Sequence, residues 1–375
     1  MNGSLDQPPG QDGPEPRSVL WFMQTGQRPW RELHWLSLMP HTRVTALGSP
    51  PPPERVEHAP SRYRQPTKRF IEAGAMAWLR DLDDAPVDSD WIASLEPFSL
   101  VTGQAARFAR THRGRLAVLM WHNFAGSPLY RLPGYRHAWT LSRHQADFFL
   151  CLIEASRTHI LDMGIEPERV DMVYPGVDTV TFHPPESPVH EPVIGFISPL
   201  RASKGLDTVL AAYALVRRTV PEARLVIAGS GEDEPIARAA EEAEPGHVRF
   251  LGTLPQREVA DLMRHCAVFV TAPRPTRTWN EQFGLVYVEA MASGLPVVTT
   301  ASGTNHEAVP DPNRRVANDP EAVAEALSGF LCDDGLRSKV SELNRSYAVD
   351  NHDVVTQARR MGQAFTRAES RLGMR

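Results

Sequence analysis

The chain has 375 residues, of which 42% are hydrophobic and 23% charged, and its formal net charge is −5. This length allows two domains, the composition is that of a globular protein, and the acidic balance argues against a broad nucleic-acid surface. No apolar run approaches the ~18 residues of an integral membrane segment, and three scattered cysteines (Cys151, Cys266, Cys332) without a CxxC provide neither a disulfide framework nor a zinc site.

In chain order, residues 1–17 are rich in Pro, Gly and acid and lack an apolar core. They read as a disordered leader rather than a signal peptide, and a reduced, cytoplasmic setting is expected. Strands are expected at 18–23 and 43–47, a surface loop at the prolines of 50–53, a helix at 70–82 and a strand at 90–95. A helix at 99–111 leads to the apolar run 115–121, then come a strand at 146–153, a helix at 154–163 closed by Gly164, and a strand at 170–174. Strands alternating with helices imply a parallel, doubly wound sheet. Residues 183–192 hold four prolines and no periodicity, so they read as a linker.

The alternation then restarts. Strands are expected at 193–197, 224–228, 248–251, 268–271 and 296–300, with helical stripes over 206–216, 259–266 and 320–331 and a tail helix over 354–372. The expected organisation is an N-terminal domain (18–182), the linker (183–192), a C-terminal domain (193–353) and a last helix (354–375) crossing back to the first domain. Ligands of such sheets bind at the carboxyl ends of strands. His122 and Asn123, Arg201 and Lys204, Gly229 to Gly231, and Glu281 all fall at such ends.

The densest stretch runs from Trp279 to Val298. It reads as a loop, a helix with Leu285, Val288 and Met291 on its apolar stripe, a stop at Gly294 and Pro296, and a buried strand. Glu281 stands at the mouth of that helix and Glu289 inside it, with seven residues between them. Free N–H groups at a helix start bind anions, and a carboxylate suits a vicinal diol, so one loop and helix could hold a sugar, a diphosphate and a ribose in a row.

From Val193 to Leu327 the sequence resembles the retaining glycosyltransferases of family 4, which have the GT-B fold of two Rossmann-like α/β domains facing a cleft. The resemblance rests on Ser203-Lys204-Gly205-Leu206-Asp207, on the run from Leu225 to Gly231, on Val248-Arg249-Phe250-Leu251-Gly252, on Glu281-Gln282-Phe283-Gly284 with Glu289-Ala290-Met291-Ala292, and on Gly294-Leu295-Pro296-Val297-Val298. Upstream, Val173 to Asp178 is similar to the family's approach to its linker, and the likeness thins further back.

The resemblance implies that Lys204 contacts the donor diphosphate, and Arg201, three residues before it and outside the family's Arg position, is taken to supply the second charge. It implies that Glu281 binds donor-sugar hydroxyls, that the amides of Phe283, Gly284 and Leu285 lie near the phosphate and sugar, and that Glu289 binds the ribose diol. It places His122 near the reacting sugar, so His122 and Glu281 are the expected catalytic residues. The family's Arg five residues before the lysine is here Pro199, and the usual Gly-Gly loop after the first strand is here Gln24-Thr25-Gly26-Gln27. The implied activity is metal-independent transfer of a hexosyl group from a nucleoside diphosphate sugar to an acceptor hydroxyl of unspecified identity, with retention and without a cofactor. A nucleotide-sugar epimerase of the same fold and a non-catalytic sugar-nucleotide-binding protein are the alternatives. A dehydrogenase is disfavoured because no GxGxxG follows the first strand.

Overall fold

The computed structural model describes residues 15–23, 30–48, 56–64, 78–80, 82, 85–123, 131–187, 189–277 and 279–373. Two parallel α/β sheets organise the chain. The first half supplies β1 (Arg17–Phe22), α1 (Trp30–Ser37), β2 (Thr42–Gly48), β3 (Glu57–Pro60), β4 (Tyr63–Arg64), β5 (Trp78–Leu79), β6 (Trp91–Leu95), α2 (Leu100–His112), β7 (Arg115–Met120), α3 (Pro133–Gln145), β8 (Phe148–Cys151), α4 (Glu154–Asp162) and β9 (Val170–Met172). Among the described residues its sheet runs β3-β2-β1-β6-β7-β8-β9, and β4 and β5 form a separate antiparallel pair. The central strands are buried on both faces, which is why they read as continuous apolar runs.

The second half supplies β10 (Val193–Ile197), α5 (Leu206–Thr219), β11 (Arg224–Ala228), α6 (Glu234–Ala243), β12 (Val248–Phe250), α7 (Gln256–Arg264), β13 (Val268–Thr271), α8 (Leu285–Ala292), β14 (Val297–Thr300), β15 (Arg314–Val316), α9 (Pro320–Leu331), α10 (Asp334–His352) and α11 (Val354–Leu372). Its sheet runs β12-β11-β10-β13-β14-β15, all parallel. The order reverses direction at β10, whose neighbours are β11 and β13, and a ligand crevice opens at the carboxyl ends of strands at such a point.

The chain passes between the halves twice, side by side. Val177 N–H donates to His352 O at 2.7 Å, and Val354 N–H donates to Val177 O at 2.9 Å. Asp353 joins both passages. One carboxylate oxygen caps α11 through the Thr356 amide, and the other accepts from the Thr179 hydroxyl. The helix α11 then packs on the first sheet. Phe365 sits edge-on to Trp91 and Phe148, and Glu369 accepts from Arg17 and from the Trp91 indole. Arg345 on α10 donates to the carbonyls of Thr179, Phe182 and Ala292, tying the segment just before the linker to the end of α8.

Some differences from the sequence expectations have local causes. Trp78 and Leu79 are in a strand rather than a helix, because Leu79 N–H and C=O pair with the Gln104 amide and the strand pairs with Tyr63–Arg64. The rest of the helix expected at 70–82, and the loop at 50–53, lie outside the described residues apart from 80 and 82. The helices α1, α3, α6 and α10 escape the pattern. In α10 the long polar face hides the stripe, and its start is set by Asp333, whose carboxylate accepts from Leu336 N–H.

Candidate functional site

The site is built at the strand ends around the point where β10 and β13 diverge. After β10 the chain makes a single 3₁₀ turn, Ala202–Lys204, and enters α5 through Gly205. Gly205 has φ +71, and a Cβ there would stand 2.0 Å from Ala272 O. Only glycine lets this turn press against the end of β13, where Ala272 N–H donates to Lys204 O. Arg201 is exposed at the start of the turn, and Lys204 is half-buried at its end.

The loop after β13 returns through Trp279 and Asn280 to Glu281. The Lys204 ammonium lies 2.6 Å from Glu281 Oε2, and the Trp279 ring lies 4.6 Å from the same ammonium. Glu281 is 7% exposed, so this pair is largely shut away from water. Desolvating two charges offsets most of their attraction, and such a pair adds little to stability. It does hold both side chains in fixed positions. Beside it, Asn280 Oδ1 is buried with no hydrogen-bond partner among the described residues. Folded proteins pair most of their buried acceptors, so this one is uncommon.

Gly284 starts α8 with φ +79, and a Cβ there would stand 2.2 Å from the Tyr287 ring. Its left-handed backbone turns the chain into a helix whose first amides point back toward the loop. Tyr287 anchors the helix from below, its hydroxyl within 3.0 Å of Thr271 Oγ1 and 2.9 Å of Thr299 Oγ1. Burial pushes its phenol pKa up, so it remains a neutral hydrogen-bonding group. Glu289 lies one turn into α8 and is buried. Phe283, Gly284 and Leu285 lie at the helix start, and Phe283 is buried against Tyr174 and His352.

The first half brings its own strand end to the same place. His122 follows β7, with its ring 5.6 Å from Phe98 and 5.4 Å from His159. Burial, with the neighbouring His159, lowers its pKa to about 3, so the imidazole is neutral near pH 7. Asn123, next in sequence, donates to Glu281 O at 3.2 Å and to Thr304 Oγ1 at 2.8 Å. Thr304 N–H also donates to Glu281 O at 2.9 Å. The sites expected in the two halves are thus joined at Asn123.

Two further groups lie outside the sequence expectations. Glu96, in a left-handed conformation (φ +61) after β6, accepts from Trp121 N–H at 3.0 Å. Burial raises its pKa to about 8, with Glu32 adding to the rise, and its second oxygen is buried and unpartnered among the described residues. Glu307 reaches from the second half to the start of α4 and accepts from Glu154 N–H at 2.6 Å and Ala155 N–H at 3.0 Å. A carboxylate there meets the unpaired amides and positive end of the helix dipole, worth about 0.3–1 kcal/mol when exposed and up to ~2 in partly buried settings. Position after a strand and before Pro97 was the one available sequence signal for Glu96. None marked Glu307, whose partner is about 150 residues away.

Among the described residues, no group of three or more His, Cys, Asp or Glu stands together to hold a metal ion, and no helix is long and apolar enough to cross a membrane. A cavity of about 290 Å³ lies elsewhere, between the linker and α10, lined by Pro184, Cys266, Ser293, Arg337 and Ser341. Cys266 and Pro296 on its wall precede β13 and β14, so it sits at the amino ends of the strands.

Residues 179–347 match the family described as Glycosyl transferases group 1. A D-inositol 3-phosphate glycosyltransferase of Corynebacterium kroppenstedtii is 30% identical over 222 residues, covering 52% of this chain and 48% of that protein. A GDP-mannose-dependent alpha-(1-6)-phosphatidylinositol monomannoside mannosyltransferase of Mycolicibacterium smegmatis is 28% identical over 331 residues, covering 82% and 85%. The chain thus spans about half of the first relative and most of the second. The crystal structure of Anabaena HepE in complex with UDP and glucose matches with a TM-score of 0.71 at 18% identity, covering 93% of this chain and 99% of that one. Sucrose-phosphate synthase from Thermosynechococcus elongatus matches with a TM-score of 0.69 at 15% identity, covering 95% and 100%. At these identities the structural likeness speaks to fold. The fold is that of two parallel-sheet α/β domains of the GT-B kind.

Proposed function

We propose that this protein is a retaining glycosyltransferase of family 4 that moves a hexosyl group from a nucleoside diphosphate sugar to an acceptor hydroxyl without a metal ion. The observation that carries the proposal is the enclosed Lys204–Glu281 pair at the mouth of α8, with Glu289 buried one turn further along. The family match over 179–347 supports it, as do relatives whose names specify glycosyl transfer and, in one case, GDP-mannose. A neighbour of similar fold holds UDP and glucose.

In this reading, the ribose diol lies against the Glu289 carboxylate. The diphosphate lies between the Lys204 ammonium and the first amides of α8 at Gly284 and Leu285, with Arg201 at its exposed edge. The sugar hydroxyls face Glu281 and Asn280. The bond from the anomeric carbon to the diphosphate oxygen breaks through an oxocarbenium-like state, and the acceptor oxygen bonds to that carbon on the same face while its proton passes to the departing diphosphate oxygen. Charge gathers on the leaving diphosphate, and preorganised donors aimed there are worth about 2.7–4 kcal/mol each in comparable sites. Lys204 and the helix amides supply that stabilisation. Neutral His122 supplies a hydrogen bond to the reacting sugar from the other domain. The setting is cytoplasmic.

The test is release of UDP or GDP from UDP-glucose and GDP-mannose, with and without an added acceptor alcohol, in EDTA and in magnesium. Acceptor-dependent release that persists in EDTA fits the proposal. Release abolished by EDTA and restored by magnesium contradicts its metal-independent form. Isomerisation of the sugar without release would make the protein an epimerase.

A further inference from the structure

We infer that Asn123 and Glu307 form a two-point clamp that closes the cleft and sets His122 of one domain in register with Glu281 of the other. Both act as positioning residues. The inference deepens the glycosyl-transfer reading, and only its kinetic arm rests on that reading.

The hydrogen-bond chemistry at Asn123 is determined by its partners. Glu281 O is a carbonyl oxygen and can only accept. The Thr304 hydroxyl gives its proton to Gln282 O, so its oxygen accepts as well. The side chain at 123 must therefore present a donor to both, which the amide NH₂ does. Asn123 directly follows His122, and Glu281 supplies both the carboxylate facing Lys204 and the carbonyl facing Asn123. The clamp thus acts on the backbone of the reacting groups themselves.

Glu307 makes the second point. It lies three residues after Thr304, on the same loop, and accepts from two successive amides at the start of α4. That helix follows β8, the sheet neighbour of the β7 strand that carries His122 at its end. Two contacts from one loop to two adjacent strand ends fix rotation as well as distance. Both joins link different domains, so an open cleft gives all four bonds to water. Exchange with water returns most of the strength of the two bonds that Asn123 makes, and less of the two that the charged Glu307 accepts. The clamp therefore selects a register of the closed form while leaving it free to open for substrate exchange.

The decisive variant is Asn123→Asp. It keeps the size of the side chain and sets a carboxylate against two acceptor oxygens. Glu307→Ala removes the other point independently. Calorimetry with UDP and GDP, small-angle scattering of the nucleotide-bound protein, and steady-state kinetics are the readouts. The expected result is nucleotide affinity within about twofold of wild type, a larger radius of gyration, and kcat lower on the order of 100-fold, as an error of ~1 Å at a reacting centre produces. Unchanged scattering in both variants would overturn the inference. So would a loss of nucleotide affinity in step with kcat, since Asn123 would then act on the donor pocket and not on closure. If wild type transfers no sugar to any acceptor, the reading of the activity fails separately. Scattering still decides the clamp in that case: opening in both variants supports it, and no opening in either overturns it.

Discussion

The ammonium of Lys204 and the carboxylate of Glu281, 77 residues apart in sequence, meet at 2.6 Å under the ring of Trp279. Each holds the other in place at the mouth of α8, and the proposed function divides them between a diphosphate and a sugar. Lys204→Ala is expected to lower kcat/KM by about 10²–10³, the cost of one preorganised charge-stabilising donor. Arg201→Ala is expected to cost less, because Arg201 is exposed and outside the pair. Steady-state kinetics of the two variants give the order directly. The reverse order would assign the diphosphate to Arg201. Lys204→Ala also leaves Glu281 a poorly solvated charge, so its melting temperature should fall as well.

Glu289→Ala is expected to weaken UDP or GDP binding by roughly 10- to 100-fold, which is the range for hydrogen bonds to a charged group. The carboxylate is buried behind the first turn of α8, and on the proposed reading it meets the ribose, so the loss is expected in binding more than in the bond-breaking step. Calorimetry on the nucleotide tests this, and equal affinities for wild type and variant would remove Glu289 from the ribose.

His122→Ala should leave nucleotide binding within about twofold of wild type and lower turnover, since every proposed nucleotide contact lies in the second half. With its pKa held near 3 by burial, His122 gives no inflection in the rate between pH 5 and 8. A His122→Ala enzyme with unchanged kcat would leave the first half to acceptor binding alone.

Glu96 provides a test by pH. Its folded pKa is raised to about 8, so the folded state binds more protons than the unfolded chain between about pH 4.5 and 8. Its contribution to stability is fully present below pH 4.5 and is lost as pH rises through 8. His122 has the opposite sign. Its folded pKa is lowered, so its contribution is lost as pH falls from about 6.5 toward 3. The difference between Glu96→Gln and wild type isolates the first effect. The variant should gain relative stability from pH 5 to pH 8, by at most about 1.4 kcal/mol per pH unit. A pH-independent difference in unfolding free energy would show that Glu96 is ionised throughout.

Strand identity was legible at β10, β11 and β13, whose ends match the expected ranges to the residue, because an inner strand of a parallel sheet reads as a short apolar run. The helix α11 and the start of α8 were equally plain, since Gly284, Gly294 and the apolar stripe are local signals. The pairing of Lys204 with Glu281 was not visible in the spacing. It exists because parallel pairing of β10 with β13 brings the chain after each strand to one crevice. The same holds more strongly for Asn123 and Glu307. Their residue types are ordinary, and their partners lie in the opposite half of the chain. Sequence determined which residues could do chemistry at strand ends, since periodicity and turn residues act over a few positions. Tertiary structure decided which of them meet, because hydrogen bonds between domains depend on how two independently formed sheets are brought together.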